Sequence, residues 1–266
     1  MGYLDTLTPK QKANAEILVK RLNANGITNP LAQAGILAVV SKESEFIPKS
    51  ETSWRNTSNS RIRQVFGSRV SGYTDAQLDA LKSNDEAFFD AIYGASQPQL
   101  GLGNTQKGDG YKYRGRGLNQ ITGRALYKQY GDAIGVNLVE NPDKLNDPVV
   151  ASDALIAYFR TLFKASNAKL SNYNSTGLND FKNINDAVGA YYHANAGWAK
   201  SMSSIQADVT GGRAKAMARA NELADYAKKF IGKTTTFVKK NFGLTIIISA
   251  ALIVSVYALV VTLKKK

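Results

Sequence analysis

Two glutamates eight residues apart are the first groups that could do chemistry. Glu43 lies in Lys42-Glu43-Ser44-Glu45-Phe46, and Glu51 in Ser50-Glu51-Thr52-Ser53. Breaking a glycosidic bond with inversion needs an acid to protonate the leaving oxygen. It also needs a second carboxylate, about 6.5–9.5 Å away, to activate water. On a helical wheel Ile36, Val40 and Glu43 share one stripe, while Glu45 falls about 200° from Glu43. Glu43 is therefore expected on the apolar face, where desolvation favours the protonated form of a carboxyl. Glu51 would be the base, with Thr52 or Ser53 holding the water. The same spacing also fits two structural carboxylates: Glu43 as a helix-end group paired with Arg114 or Arg116, and Glu51 as an exposed loop residue.

A third segment joins them: Lys112-Tyr113-Arg114-Gly115-Arg116-Gly117-Leu118-Asn119-Gln120-Ile121-Thr122-Gly123-Arg124, with Tyr127 beyond. Gly115 and Gly117 let backbone approach other groups closely. Arg114 and Arg116 can pair with carboxylates and so set their ionisation. Asn119, Gln120 and Tyr127 offer donors and acceptors to sugar hydroxyls. A surface loop touching phosphate or lipid is the competing reading. A nucleotide loop is excluded, because no Gly-Lys-Ser/Thr comes after it.

The elements that must position these groups are mostly helical. Leu7–Asn25 is expected as an amphipathic helix, started by Thr8-Pro9 and stopped at Asn25-Gly26. Pro30–Phe46 is a second, strongly apolar one. Helical spacing returns at Arg61–Phe66 and Asp75–Tyr93. Gly101–Gly117 reads as a glycine-rich loop with Tyr111 and Tyr113 in a short extended piece. Leu118–Gly131, Pro148–Phe163, Ile184–Tyr192 and the basic, alanine-rich Gly212–Ile231 read as helices.

The 266 residues hold no cysteine and one histidine, His193. Disulfides, thiolate metal sites and multi-histidine metal sites are thereby excluded. No metal or cofactor is implied. The net charge is +13, of which the stretch from Arg213 onward carries +9, with eleven Lys/Arg against two Asp/Glu. That basic excess flanks Asn241–Leu263, which is uncharged over 23 residues and bracketed by lysines. At 1.5 Å per residue it exceeds a hydrocarbon core of about 30 Å, and lysine stems can snorkel at both ends. It is expected to cross a membrane. A nucleic-acid partner is not expected, because the basic stretch lacks base-reading or stacking residues. Met1–Lys10 has no apolar run of signal-peptide type, so the folded domain is expected on the side where it is synthesised.

The run Gly108–Tyr127 closely resembles the signature of glycoside hydrolase family 19, which contains chitinases and many bacteriophage endolysins. Asn141-Pro142-Asp143 and Asp147-Pro148 are similar to the endolysin branch. The resemblance spans roughly residues 10 to 200. It implies a mainly α, lysozyme-like fold and an inverting glycosidase. Lys42-Glu43-Ser44-Glu45-Phe46 matches the family's His-Glu-Ser-Gly-Gly-Phe helix end with one residue missing. That places the acid at Glu43, the second carboxylate at Glu51 and a water-holding hydroxyl at Ser53. Sugar contacts are implied for Tyr113, Arg116, Gln120, Tyr127 and Asn195. The departures are Lys42 for the usual histidine, the lost double glycine, and a late substrate segment present only as His193-Ala194-Asn195-Ala196-Gly197-Trp198. Glu43-Ser44-Glu45-Phe46-Ile47-Pro48 also resembles the glutamate motif of lytic transglycosylases, which leave an anhydro-sugar.

The expected organisation is a lysozyme-like domain at 1–211, a basic amphipathic helix or linker at 212–240, a transmembrane helix at 241–263 and a basic tail at 264–266. The expected substrate is peptidoglycan. The expected site of action is a membrane, such as the internal membrane of a lipid-containing phage particle, or else a bacterial envelope. A wall-binding or structural protein of the same fold is the reading from a different class.

Overall fold

The computed structural model describes residues 2–164, 167–196 and 212–242. Their regular structure is helical, joined by loops, with a single isolated β-bridge between Arg116 and Ile121. The chain divides into two compact units, Met1–Phe46 with Tyr158–Lys266, and Ile47–Ala157. The division falls inside one helix, Pro148–Lys164.

The first unit opens with α1 (Tyr3–Thr6) and α2 (Pro9–Ala24). Thr8 caps α2 through a capping box: its hydroxyl accepts from the Gln11 N–H, and the Gln11 side chain accepts from the Thr8 N–H at 2.8 Å. Next is helix α3 (Pro30–Glu43), capped by the Asn29 side chain. Every residue from Ala32 to Ser41 is buried. A helix apolar on all sides must be surrounded.

In the second unit come α4 (Asn59–Phe66), α5 (Asp75–Lys82), α6 (Asp85–Tyr93), α7 (Asp109–Lys112), α8 (Arg124–Ile134) and α9 (Pro148–Lys164), which runs on into the first. Back in the first unit are α10 (Asn167–Leu170), α11 (Ile184–Asn195) and α12 (Gly212–Phe242). Helices α11 and α12 both pack on α3. Gly35 makes the α3–α11 approach possible, since a Cβ there would lie 2.6 Å from the Tyr191 ring and 2.9 Å from the Ala187 carbonyl oxygen.

Helix α12 also holds the start of the chain. The Glu222 carboxylate accepts the backbone N–H groups of Tyr3 and Leu4, each at 2.7 Å. The Arg219 guanidinium lies 4.1 Å from the Tyr3 ring centroid and donates to the Ser41 carbonyl at 2.8 Å.

The core of the second unit is an aromatic cluster. Ile62, Phe66, Leu78, Phe88, Phe89 and Ile92 are buried, and Trp54, Tyr73, Tyr93 and Tyr111 pack against them.

Several expected elements shift. Asp75–Tyr93 is two helices, because Asn84 takes an extended conformation and caps α6. The expected helix from Leu118 starts six residues later, at Arg124. The chain first takes positive φ at Gly117 (84°), Gln120 (55°) and Gly123 (94°), which no right-handed helix accommodates. The expected extended piece at Tyr111 is the short helix α7. The alanine-rich helix runs on past Ile231 to Phe242, so of the two forms expected for 212–240, helix or linker, the helix is the one present. Among the described residues no helix is long and apolar enough to cross a membrane. The expected transmembrane segment lies outside them from residue 243 on, as do the basic tail and Trp198.

Candidate active site

In the first unit, Glu43 is the last residue of α3. Ile36 and Val40 on its wheel stripe are buried at 0% and 1% exposure, but Glu43 itself is exposed. The Glu43 carboxylate is met by the Lys42 ammonium at 2.7 Å. The expectation that Glu43 lies desolvated on the apolar face of the helix is therefore not met: it is exposed and paired with Lys42. Beyond Glu43 the chain makes an unusual turn, with Glu45 at φ 49° and Phe46 at φ 63°. Adjacent non-glycine residues in the left-handed region cost about 1–2 kcal/mol each. Burial of the Phe46 ring and a 2.8 Å hydrogen bond from the Asn14 side chain to the Phe46 carbonyl hold the turn in place.

Asn195 ends α11, partly exposed, and its carbonyl accepts from the Tyr158 hydroxyl at 3.3 Å. His193, two residues before, is buried and lies 2.9 Å from the Tyr173 hydroxyl.

In the second unit, the glycine-arginine run folds into a tight hairpin. Arg116 and Ile121 exchange backbone hydrogen bonds at 3.1 and 2.9 Å, and Gly117 and Gln120 make the turn with positive φ. The segment bearing Glu51 is clipped to this hairpin and its surroundings. The Glu51 N–H donates to the Gly115 carbonyl at 2.7 Å. The Gln120 side-chain amide donates to the Lys49 carbonyl at 2.9 Å, and the Asn146 amide donates to the Ser50 hydroxyl at 3.0 Å.

The Glu51 side chain is half-buried. Its Oε1 accepts from the Trp54 indole N–H at 3.2 Å and from the Tyr93 hydroxyl at 3.3 Å. Burial raises its pKa above the ordinary glutamate value; these two donors, the Gly115 backbone and the Arg114 charge pull the other way without cancelling the rise. Burial, and then the Glu51 charge, likewise push the Tyr93 phenol up, so it remains a donor at neutral pH. The carboxyl desolvated by its surroundings is thus Glu51. Trp54 and Tyr93 escaped the sequence reading. Trp54 lies three residues past Glu51, and Tyr93 reaches it from 42 residues away, so no periodicity marks either.

Ser53 is exposed and donates to the Asp85 carboxylate at 2.6 Å. Three of the five residues expected to touch sugar are inside. Tyr113 and Tyr127 have 0% exposure and Arg116 has 3%. The Tyr127 hydroxyl donates to the Arg114 carbonyl at 2.7 Å and accepts from Arg116 at 3.0 Å. Burial pushes its pKa up to about 12. Arg116 also donates to the Lys112 carbonyl at 2.7 Å and to Asp143 at 2.8 Å. Tyr113 donates to the Val139 carbonyl at 3.1 Å. Their polar atoms are spent on fixing the hairpin, so their contribution to a ligand runs through its shape. Gln120 is the member of the set that stands at the partly exposed turn. Among the described residues no group of His, Cys, Asp or Glu side chains is gathered as metal ligands would be.

Residues 101–176, which contain the hairpin, match the model of the chitinase class I family, glycoside hydrolase family 19. A basic endochitinase of Vitis vinifera is 52% identical over 54 residues, covering 20% of this chain and 15% of that protein. The match thus spans only a small part of that relative. Chitinase C from Streptomyces griseus HUT6037 aligns over 79% of this chain and 83% of its own, at 19% identity and TM-score 0.44. A chitinase C point mutant aligns over the same shares with TM-score 0.45. Residues 101–176 are thus similar to a segment of family 19 chitinases, and the described residues form a mainly α fold.

Proposed function

We propose that this protein is a glycoside hydrolase that cuts an amino-sugar polymer by inversion, with peptidoglycan glycan strands as its substrate. The observation that carries the reading is a desolvated carboxyl, Glu51, clipped by its backbone to Gly115 inside the family 19 segment. Raised basicity in a half-buried carboxylate is what activation of water asks for. In the step proposed, the water oxygen bonds to the anomeric carbon and its proton passes to Glu51. The bond to the leaving glycosidic oxygen breaks, and that oxygen takes the proton of Glu43. Gln120 and Asn195 are the partly exposed amides offered to sugar, and the exposed Ser53 or Thr52 hydroxyl would steady the water.

Peptidoglycan is favoured over chitin, the polymer that the relatives' names point to, by the likeness to endolysins and by the uncharged stretch 241–263. That stretch is read as a membrane anchor that places the enzyme at a bacterial envelope or in a lipid-containing virion.

The test uses the full chain in mild detergent with purified peptidoglycan and, separately, chitin oligomers, and identifies products by mass spectrometry. Reducing-end products that disappear in Glu43→Gln are expected. Anhydro-sugar products would move the enzyme to the transglycosylases. Binding without turnover would make it a wall-binding module.

A further inference from the structure

The two oxygens of Glu51 have different surroundings, and the difference is built by the aromatic core. Trp54 packs edge-on against Phe66, ring centroids 4.8 Å apart, and stacks near Phe88 at 6.4 Å. Tyr93 stacks on Phe89 at 6.2 Å and meets Phe66 edge-on at 6.3 Å. The Arg69 guanidinium covers Tyr93 from 5.6 Å. Rings fixed this way have no freedom to turn their polar ends elsewhere. Both polar ends converge on Oε1. Oε2 accepts from neither. It faces the bare α-carbon of Gly115, where a Cβ would lie 3.2 Å from it and 2.8 Å from the Gln120 amide oxygen.

We infer that Trp54 and Tyr93 are positioning residues that hold Glu51 by Oε1, and that Oε2 is the oxygen that takes the proton. The inference rests on the reading of Glu51 as the base. The aromatic cluster then serves the reaction as well as the fold. Its two donors fix the carboxylate plane through Oε1, beside the Gly115 backbone that also acts on the carboxylate. They also oppose the rise that burial gives the Glu51 pKa. Neither ring touches substrate in this account. Their loss is expected in kcat, with KM unchanged.

The experiment is Tyr93→Phe, with Trp54→Phe as the second variant and Tyr73→Phe as control. Phenylalanine keeps the Tyr93 ring position filled and the Trp54 position partly filled, so the cluster keeps its aromatic packing. Tyr73 belongs to the same cluster, but its hydroxyl does not bond Glu51. Glu51 is followed by carboxyl-carbon NMR titration of the full-length protein, which needs no turnover, and kinetics are measured alongside. Expected are an upward move of the Glu51 midpoint in both variants and a fall in kcat of about tenfold to a hundredfold. The control should move neither quantity. An unmoved midpoint in Tyr93→Phe and Trp54→Phe overturns the inference even if the enzyme is active. A moved midpoint with an inactive wild type upholds the hold on Glu51 and removes the hydrolase reading instead.

Discussion

Glu51 and Gly115 are joined twice, by the 2.7 Å backbone hydrogen bond and by the approach of the Glu51 carboxylate to the glycine's empty side-chain position. The first contact fixes where Glu51 is, and the second requires that residue 115 carry nothing. Gly115→Ala should therefore damage the site directly. The new methyl meets Gln120 and Glu51 together, and Gln120 has little room to yield because its amide is tied to Lys49. Overpacking of this kind costs about 1–3 kcal/mol. Turnover should fall at least about tenfold. Chemical denaturation and steady-state kinetics on the alanine variant check both, and wild-type turnover would refute the account.

Glu51 also gives stability a pH signature. Its folded pKa lies above the unfolded value, so the folded chain holds the proton more tightly. The stabilisation is complete at pH below the ordinary glutamate range and is lost as pH rises through the raised midpoint. Glu51→Gln removes that loss. Its Tm should exceed the wild-type Tm near neutral pH, and the gap should close on acidification. Calorimetry across the pH range decides it; a Tm difference independent of pH would show that Glu51 does not titrate as described.

Glu43→Gln isolates the proposed acid. The side chain is exposed and its ion pair with Lys42 is a surface one, so stability should change by less than about 0.5 kcal/mol. Turnover should drop by about 10²–10⁴-fold. An equally active variant would take the acid role away from Glu43.

The turn after Glu43 predicts opposite outcomes at neighbouring positions. Glu45 is exposed in the left-handed region, so Glu45→Gly relieves strain and should stabilise by about 1 kcal/mol. Phe46 has the same backbone sign but a buried ring, and Phe46→Gly should destabilise by at least about 3 kcal/mol. Denaturation midpoints of the two variants test whether strain or burial governs each position.

How much of this was legible depended on how local the cause was. The starts of α2 and α3 come from Thr8-Pro9 and Asn29-Pro30, whose capping chemistry acts within a few residues. The late start of α8 was not legible, because it depends on left-handed Gln120, which only the hairpin imposes. Tyr113, Arg116 and Tyr127 have the side chains of a sugar-binding surface, and spacing cannot tell that a core will enclose them. The wheel placed Glu43 on a stripe with Ile36 and Val40, both buried, but could not show that Glu43 itself is exposed. Glu51 was picked out, yet the partners that give it character, Trp54 and Tyr93, come from a tertiary cluster.

Helix α12 bears on reach. Its last described buried residue is Ala227, and the helix continues unbroken to Phe242, about 22 Å further along its axis. A helix of that kind acts as a post, where a flexible leash would sweep a volume. If residues 241–263 lie in a bilayer, the unit that carries Glu43 stands at a set height above the lipid. Its working range is then a shell of fixed distance, and cleavage proceeds only where the polymer passes through that shell. Inserting Gly-Ser residues after Phe242 would widen the shell, and inserting whole helical turns would raise it.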